Sequence, residues 1–126
     1  MLLRRAVKKN AEAAVEKLKA IHPDAEVVGI SPNLGSFESV KEEFDKVERQ
    51  FGRIDILVNN AGVSESTPFT SYTEADFDRV IDLNVKGVFN ATRAVVDGMI
   101  KNHSGVVLNT SSMVSISGQP SGFAYP

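Results

Sequence analysis

Three short stretches set small polar side chains where a ligand could meet them. Asn59-Asn60-Ala61-Gly62 closes one apolar run, Ser111-Ser112 closes another, and Asn33 follows a third that ends near Ile30. Ala61 and Gly62 carry almost no side chain, so a ligand could approach their backbone closely. Taken singly, each stretch also reads as an ordinary turn between a strand and a helix. Other chemistries lack their residues. There is no cysteine, hence no disulfide, thiol nucleophile or thiolate metal site. His22 precedes Pro23 at a helix end, and His103 follows a long helical pattern where a cation suits the helix dipole. Neither has a partner at metal-ligand spacing, so no metal is expected. Neither is placed to activate Ser112, so a hydrolase built on that serine is poorly supported.

The elements that would carry these stretches alternate. Leu2-Leu3 read as the end of a strand. Val7, Ala11, Ala14, Leu18 and Ile21 then recur as one helical stripe, which Pro23 stops. Glu26–Ile30 reads as a strand, followed by a loop with Pro32 and Gly35. Ser36 is a plausible N-cap for a helix striped by Phe37, Val40, Phe44, Val47 and Phe51, with Gly52 at its end. Residues 54–58 form an apolar run of the kind that parallel sheets bury on both faces. A Ser- and Thr-rich loop over 63–72 leads to Thr73-Glu74-Ala75-Asp76, which resembles a capping box. A long helix is expected from there to about Asn102, striped by Phe77, Val80, Ile81, Val85, Val88, Thr92, Val95 and Met99. The next strand spans 105–110, and a small-residue loop follows it. Such alternation predicts an α/β domain, a parallel sheet with helices on both faces, covering 1–126. In an open parallel sheet ligands bind beyond the carboxyl ends of the strands, where all three polar stretches would lie.

Charge narrows the partners. Fourteen Lys and Arg against sixteen Asp and Glu give a net charge of -2. That is no footprint for nucleic acid. No apolar run approaches the ~18–20 residues that span a bilayer, and Met1–Arg5 is not followed by a signal-peptide core. A cytoplasmic protein is expected.

The motifs, taken in order, resemble the classical short-chain dehydrogenases/reductases. Asn59-Asn60-Ala61-Gly62 resembles their NNAG signature, Asp82–Phe89 their central helix motif, Val107–Ser112 their active-site serine strand, and Gly122–Pro126 the lead-in to their Tyr-x-x-x-Lys motif. Ser112 and Tyr125 are thirteen apart, and Asn84 and Ser112 twenty-eight, which matches the family pattern. The resemblance implies a Rossmann-type doubly wound sheet and an oxidoreductase that moves hydride between a nicotinamide cofactor and an alcohol or ketone. Tyr125 would be the general acid/base, Ser112 would hydrogen-bond the substrate oxygen, and Asn84 would interrupt its helix and hold a water. Asn59, Ala61 and Gly62 would line the ribose and adenosine side of the cofactor, with Asn33 and Leu34 near its adenine. Arg4 and Arg5, at the end of the first strand read here, favour NADP over NAD, since arginine suits a 2′-phosphate. A phenol near its ordinary pKa of ~10 is a poor base at neutral pH, so Tyr125 needs a cation and a hydroxyl beside it.

The sequence also departs from that family. It contains no G-x-x-x-G-x-G or G-x-G-x-x-G loop, and the motif lysine would stand four residues after Tyr125. The fold is therefore expected to be incomplete, an internal slice of a longer reductase. A non-catalytic fragment or interaction protein is the rival reading. Without the first strand, unpaired edges should leave the isolated 126 residues without a stable monomeric fold or a working cofactor site. Substrates implied by the family are 3-oxoacyl thioesters first and hydroxysteroids second, the latter from a likeness of His22–Gly29 and Gly122–Pro126 to bacterial bile-acid dehydrogenases. Phe89, Val96 and Ile100 lie off the main helical stripe, which predicts a homo-oligomer, a tetramer, for the full-length protein.

Overall fold

The computed structural model describes residues 2–125, with side chains from Lys9 onward. It divides into two compact units, Met1–Asn33 and Leu34–Pro126.

The first unit is a single long helix, α1 (Leu2–Ile21), and a tail without helix or strand. Leu2 and Leu3 are helical, not the end of a strand. The run from Leu2 to Lys9 is made of good helix formers apart from Val7, and a strand would need a ladder partner that the described residues do not offer. Residues 26–30 form no strand for the same reason, so the expected second strand is absent among the described residues. The tail instead lies along α1. A Cβ on Gly29 would stand 3.1 Å from Val15 Cγ2 and 3.2 Å from the Ala11 carbonyl, so a side chain here would press on α1. Val7, part of the expected stripe, has its side chain outside the described residues.

The second unit holds α2 (Phe37–Phe51), β1 (Ile56–Asn59), α3 (Glu74–Ile81), α4 (Gly87–Lys101), β2 (Val106–Asn109) and a one-turn α5 (Val114–Ser117). Ser36 caps α2, its Oγ accepting from the Ser39 N–H at 3.4 Å. Gly52 ends α2 at φ 93°, a conformation that favours glycine. The capping box of α3 is complete. Thr73 Oγ1 accepts from the Asp76 N–H at 3.2 Å, and Asp76 Oδ2 accepts from the Thr73 N–H at 3.1 Å. His103, at φ 50°, turns the chain out of α4.

β1 and β2 pair in parallel, Ile56 opposite Val106 through Asn59 opposite Asn109. Period-two alternation separates the faces. Leu57 and Val107 point into a core made with Val40 of α2 and Ala91, Ala94, Val95 and Met99 of α4. Ile56, Val58, Val106 and Leu108 line the opposite, exposed face. Gly87 lets α4 approach the start of the unit, since a Cβ there would meet Leu34 Cβ at 3.2 Å.

The long helix is not continuous. Residues Asp82–Lys86 form a π turn, closed by a Gly87 N–H to Asp82 C=O bond that spans five residues. This shifts the buried stripe from the expected one. Val80, Val95 and Met99 of the expected stripe are buried, but Val85 is 56% exposed and Phe77 38%, and Gly87, Asn90, Ala91 and Ala94 are buried beside them. Among the described residues no helix is long and apolar enough to cross a membrane.

Candidate active site

A cleft of about 500 Å³ opens beyond the carboxyl ends of β1 and β2. Its position follows from the parallel pairing, which sends both strands toward one rim and their connections away from it. The segment after β1 supplies Asn60, Ala61, Gly62, Val63 and Ser64. The segment after β2 supplies Thr110, Ser111 and Ser112, and the π turn adds Asn84 and Val85. Tyr125 and Ala124 reach the same cleft from the far end of the unit.

Asn84 stitches two of these walls together. Its Oδ1 accepts from the Val63 N–H at 2.9 Å, and its Nδ2 donates to the Val63 carbonyl at 2.8 Å. One amide side chain thus satisfies both polar groups of Val63, which answers the question posed by an asparagine inside an apolar helix. One N–H and one lone pair of Asn84 remain for a ligand or water. A Cβ on Gly62 would sit 3.3 Å from Asn84 Oδ1, so the wall at Ala61 and Gly62 is bare backbone beside a fixed amide.

Asn59 and Asn60 brace the strand ends. Asn59 Nδ2 donates to Thr92 Oγ1 at 3.1 Å and to Asn109 Oδ1 at 2.9 Å, so both of its side-chain N–H groups are engaged. Thr110 Oγ1 donates to Asn60 Oδ1 at 2.9 Å. Ser112 is half-buried at the cleft, and its carbonyl accepts from the N–H of Ser115 at 3.2 Å, opening α5. That short helix lay in the expected loop, and four residues are too few to show a period.

Asn84, Ser112, Tyr125, Asn59, Ala61 and Gly62 are therefore brought together. Leu34 is not among the cleft residues. Its carbonyl accepts from Asn90 Nδ2 at 2.7 Å, and its side chain packs on the core. Asn33 belongs to the first unit. Arg4 and Arg5 lie on α1 with side chains outside the described residues. Among the described residues no group of three or more His, Cys, Asp or Glu could hold a metal.

The family profile for short chain dehydrogenases matches residues 1–126, the whole sequence. The chain belongs to the short-chain dehydrogenase family. Among curated members, a 3alpha-hydroxysteroid dehydrogenase of Mediterraneibacter gnavus is 48% identical over 115 residues, covering 91% of this chain and 46% of that protein. A 3-oxoacyl-(acyl-carrier-protein) reductase of Staphylococcus epidermidis is 40% identical over 113 residues, covering 90% and 46%. The chain thus spans about half the length of the curated relatives it matches. The crystal structure of levodione reductase superposes with a TM-score of 0.84 at 34% identity, over 90% of this chain and 45% of that one. That of an NAD+-bound xylitol dehydrogenase superposes at 0.79 and 36% identity, over 97% and 45%. With these likenesses the α/β unit is an incomplete Rossmann-type fold.

One wall of the cleft would fit the ribose side of a dinucleotide. Ala61 and Gly62 present bare backbone that a ribose could approach closely, and Thr110, Ser111, Ser112 and Ser115 also line the cleft. No glycine-rich phosphate loop occurs in the sequence.

Proposed function

We propose that this chain is part of an NAD(P)-dependent oxidoreductase that interconverts an alcohol and a ketone. The observation that carries the reading is the gathering of Asn84, Ser112 and Tyr125, from three separate segments, on one cleft walled by Ala61 and Gly62. The nicotinamide, when bound, exchanges a hydride with the substrate carbon. In the reducing direction the Tyr125 hydroxyl gives its proton to the carbonyl oxygen, and in oxidation the tyrosine oxygen takes the alcohol proton back. Ser112 Oγ–H donates to the same oxygen and stabilises the charge that develops there. Asn84 fixes the backbone at Val63 and, with its remaining donor and acceptor, holds a water that links Tyr125 to solvent. Asn59, Ala61 and Gly62 border the cofactor. A phenol acting as acid and base needs a cation beside it, and the family motif sets a lysine four residues after its tyrosine for that purpose.

The substrate is a hydroxysteroid ahead of a 3-oxoacyl thioester. The steroid dehydrogenase relative at 48% identity supports that order, as do the exposed rings of Phe69, Phe77 and Phe123 close in sequence to the cleft residues. NADP, with NAD as the alternative, is the proposed cofactor; the strand end that would have set Arg4 and Arg5 against a 2′-phosphate is helical, so turnover with each cofactor decides between them. The exposed Phe89 and Ile100 on α4 support a homo-oligomer, a tetramer in the intact protein, working in the cytoplasm.

Turnover of oxo-steroids and acetoacetyl thioesters with NADH and NADPH tests the reading in the intact protein. Tyr125→Phe should lower kcat by about 10²–10⁴-fold, the range of general acid/base catalysis, with cofactor affinity retained. Parental turnover in Tyr125→Phe, or inactivity on both substrate classes, refutes it. The second reading, a non-catalytic fragment or interaction protein, expects turnover at background from the 126 residues alone.

A further inference from the structure

Tyr125 lies on a segment with little backbone regularity to hold it. Residues 118–125 contain two glycines in the left-handed region, Gly118 at φ 70° and Gly122 at φ 81°, and belong to no helix or strand. The side chain of Glu65 is prominent among the contacts that tie this segment down. Glu65 Oε1 accepts from the Phe123 N–H at 3.0 Å and from the Tyr72 hydroxyl at 3.0 Å. Glu65 Oε2 accepts from the Thr67 N–H at 3.2 Å, and the Glu65 main-chain carbonyl accepts from Gln119 Nε2 at 3.3 Å. The Gly122 N–H donates to the Thr67 carbonyl at 3.0 Å beside them.

The rings follow the same pattern. Phe123 packs against Phe69, Tyr72 and Phe77 at centroid distances of 5.1, 6.2 and 6.3 Å. The position of Gly122 is equally constrained, since a Cβ there would stand 2.5 Å from the Glu65 carbonyl oxygen. Tyr72 is held above the ordinary phenol pKa, first by burial and then by its bond to Glu65, so it stays a donor. Hydrogen bonds to a carboxylate are among the stronger ones, and here a main-chain N–H two residues before Tyr125 makes one.

We propose that Glu65 is a positioning residue, which clasps the 119–123 segment through Phe123 and Tyr72 so that Tyr125 is presented to the cleft. This rests on Tyr125 being the proton donor and acceptor of the reading above. Glu65 does not touch the substrate. It acts on kcat through the placement of the phenol, where a misplacement of about 1 Å can cost about 10²-fold.

The test uses the intact protein with Glu65→Ala, Glu65→Gln, Tyr125→Phe and the Glu65→Ala/Tyr125→Phe double variant. Glu65→Ala should lower kcat by about 10–100-fold, with the cofactor dissociation constant within about twofold of the parent. Glu65→Gln should recover most of the loss, because Oε1 can still accept from Phe123 and Tyr72 while only the Thr67 bond is forfeited. In the Tyr125→Phe background Glu65→Ala should add no further loss, as residues acting through one group are not additive. Hydrogen exchange of the 119–125 peptide should quicken in Glu65→Ala. Where Glu65→Ala fails to fold, Glu65→Gln and its exchange carry the test. Full kcat in Glu65→Ala alongside a dead Tyr125→Phe overturns the clasp alone. An equal further loss in the double variant shows a general structural effect and overturns it too. Parental turnover in Tyr125→Phe overturns the functional reading and the clasp with it.

Discussion

Removing the side chain of Asn84 separates its two duties, bracing the cleft and serving the reaction. Asn84→Ala strips the Val63 N–H and carbonyl of partners at 2.9 and 2.8 Å. A fully buried polar group left without a partner costs ~1–3 kcal/mol, and Val63 is only half-buried, so the pair together should cost about 1–3 kcal/mol. For a chain of 126 residues that corresponds to a fall in Tm of roughly 4 °C per kcal/mol. Asn84→Asp keeps the acceptor for the Val63 N–H but turns a carboxylate oxygen toward the Val63 carbonyl, so it should be no milder than alanine. Thermal and urea melts of the intact protein measure the loss, and exchange of the Val63 amide reports its site. The reasoning fails if Asn84→Ala melts within about 0.3 kcal/mol of the parent, inside the scatter of ordinary surface substitutions, with Val63 exchange unchanged.

Further expectations rest on other contacts. Asn90 is buried and donates to the Leu34 carbonyl at 2.7 Å. Asn90→Leu should destabilise by about 1–3 kcal/mol, read as a lower urea midpoint at an unchanged m-value. Gly122→Ala places a methyl group against the Glu65 carbonyl at a positive φ, so it should lower turnover while the melting temperature of the core changes little. Asp76 is held below the ordinary carboxylate range by its hydrogen bonds to Thr73. Its contribution is therefore present above the unfolded pKa of ~3.9 and is lost as pH falls through the lower folded value. Asp76→Asn should flatten that acid limb in a pH series of melts, and an unaltered limb would refute the assignment.

Where a residue's structure is set by its neighbours in sequence, the sequence was a good guide. Ser36, Gly52 and the Thr73–Asp76 box mark their helix ends through contacts within four residues. The runs at β1 and β2 are apolar enough to declare themselves. Glu26–Ile30 shows the opposite case, since strand propensity describes fitness for a pleated surface and only a partner creates that surface. The cleft residues were legible because type and order coincide at Asn59-Asn60-Ala61-Gly62, Ser112 and Tyr125. Asn84 was visible as a polar interruption, but the π turn beneath it was not, because an apolar stripe read at a constant period hides an extra residue. Glu65 carried no signal. Its partners lie up to 58 positions away, and a glutamate in a polar loop looks like any solvated acid.

The π turn makes the helix behind the cleft a joint between two lengths of different phase. Each residue of a regular helix turns the chain by about 100° and advances it ~1.5 Å. Deleting one residue from Asp82–Lys86 would let α3 and α4 fuse into one regular helix, and α3 would then swivel about the common axis by roughly that angle while α4 stayed seated on the sheet. Val80 would leave the interior, and the side-chain amide that meets Val63 would move to another face. The extra residue thus acts as a phase-setting washer, which lets one length of helix be indexed to the core and the other to the cleft. Changes in length at this turn should be far more disruptive than changes of side chain.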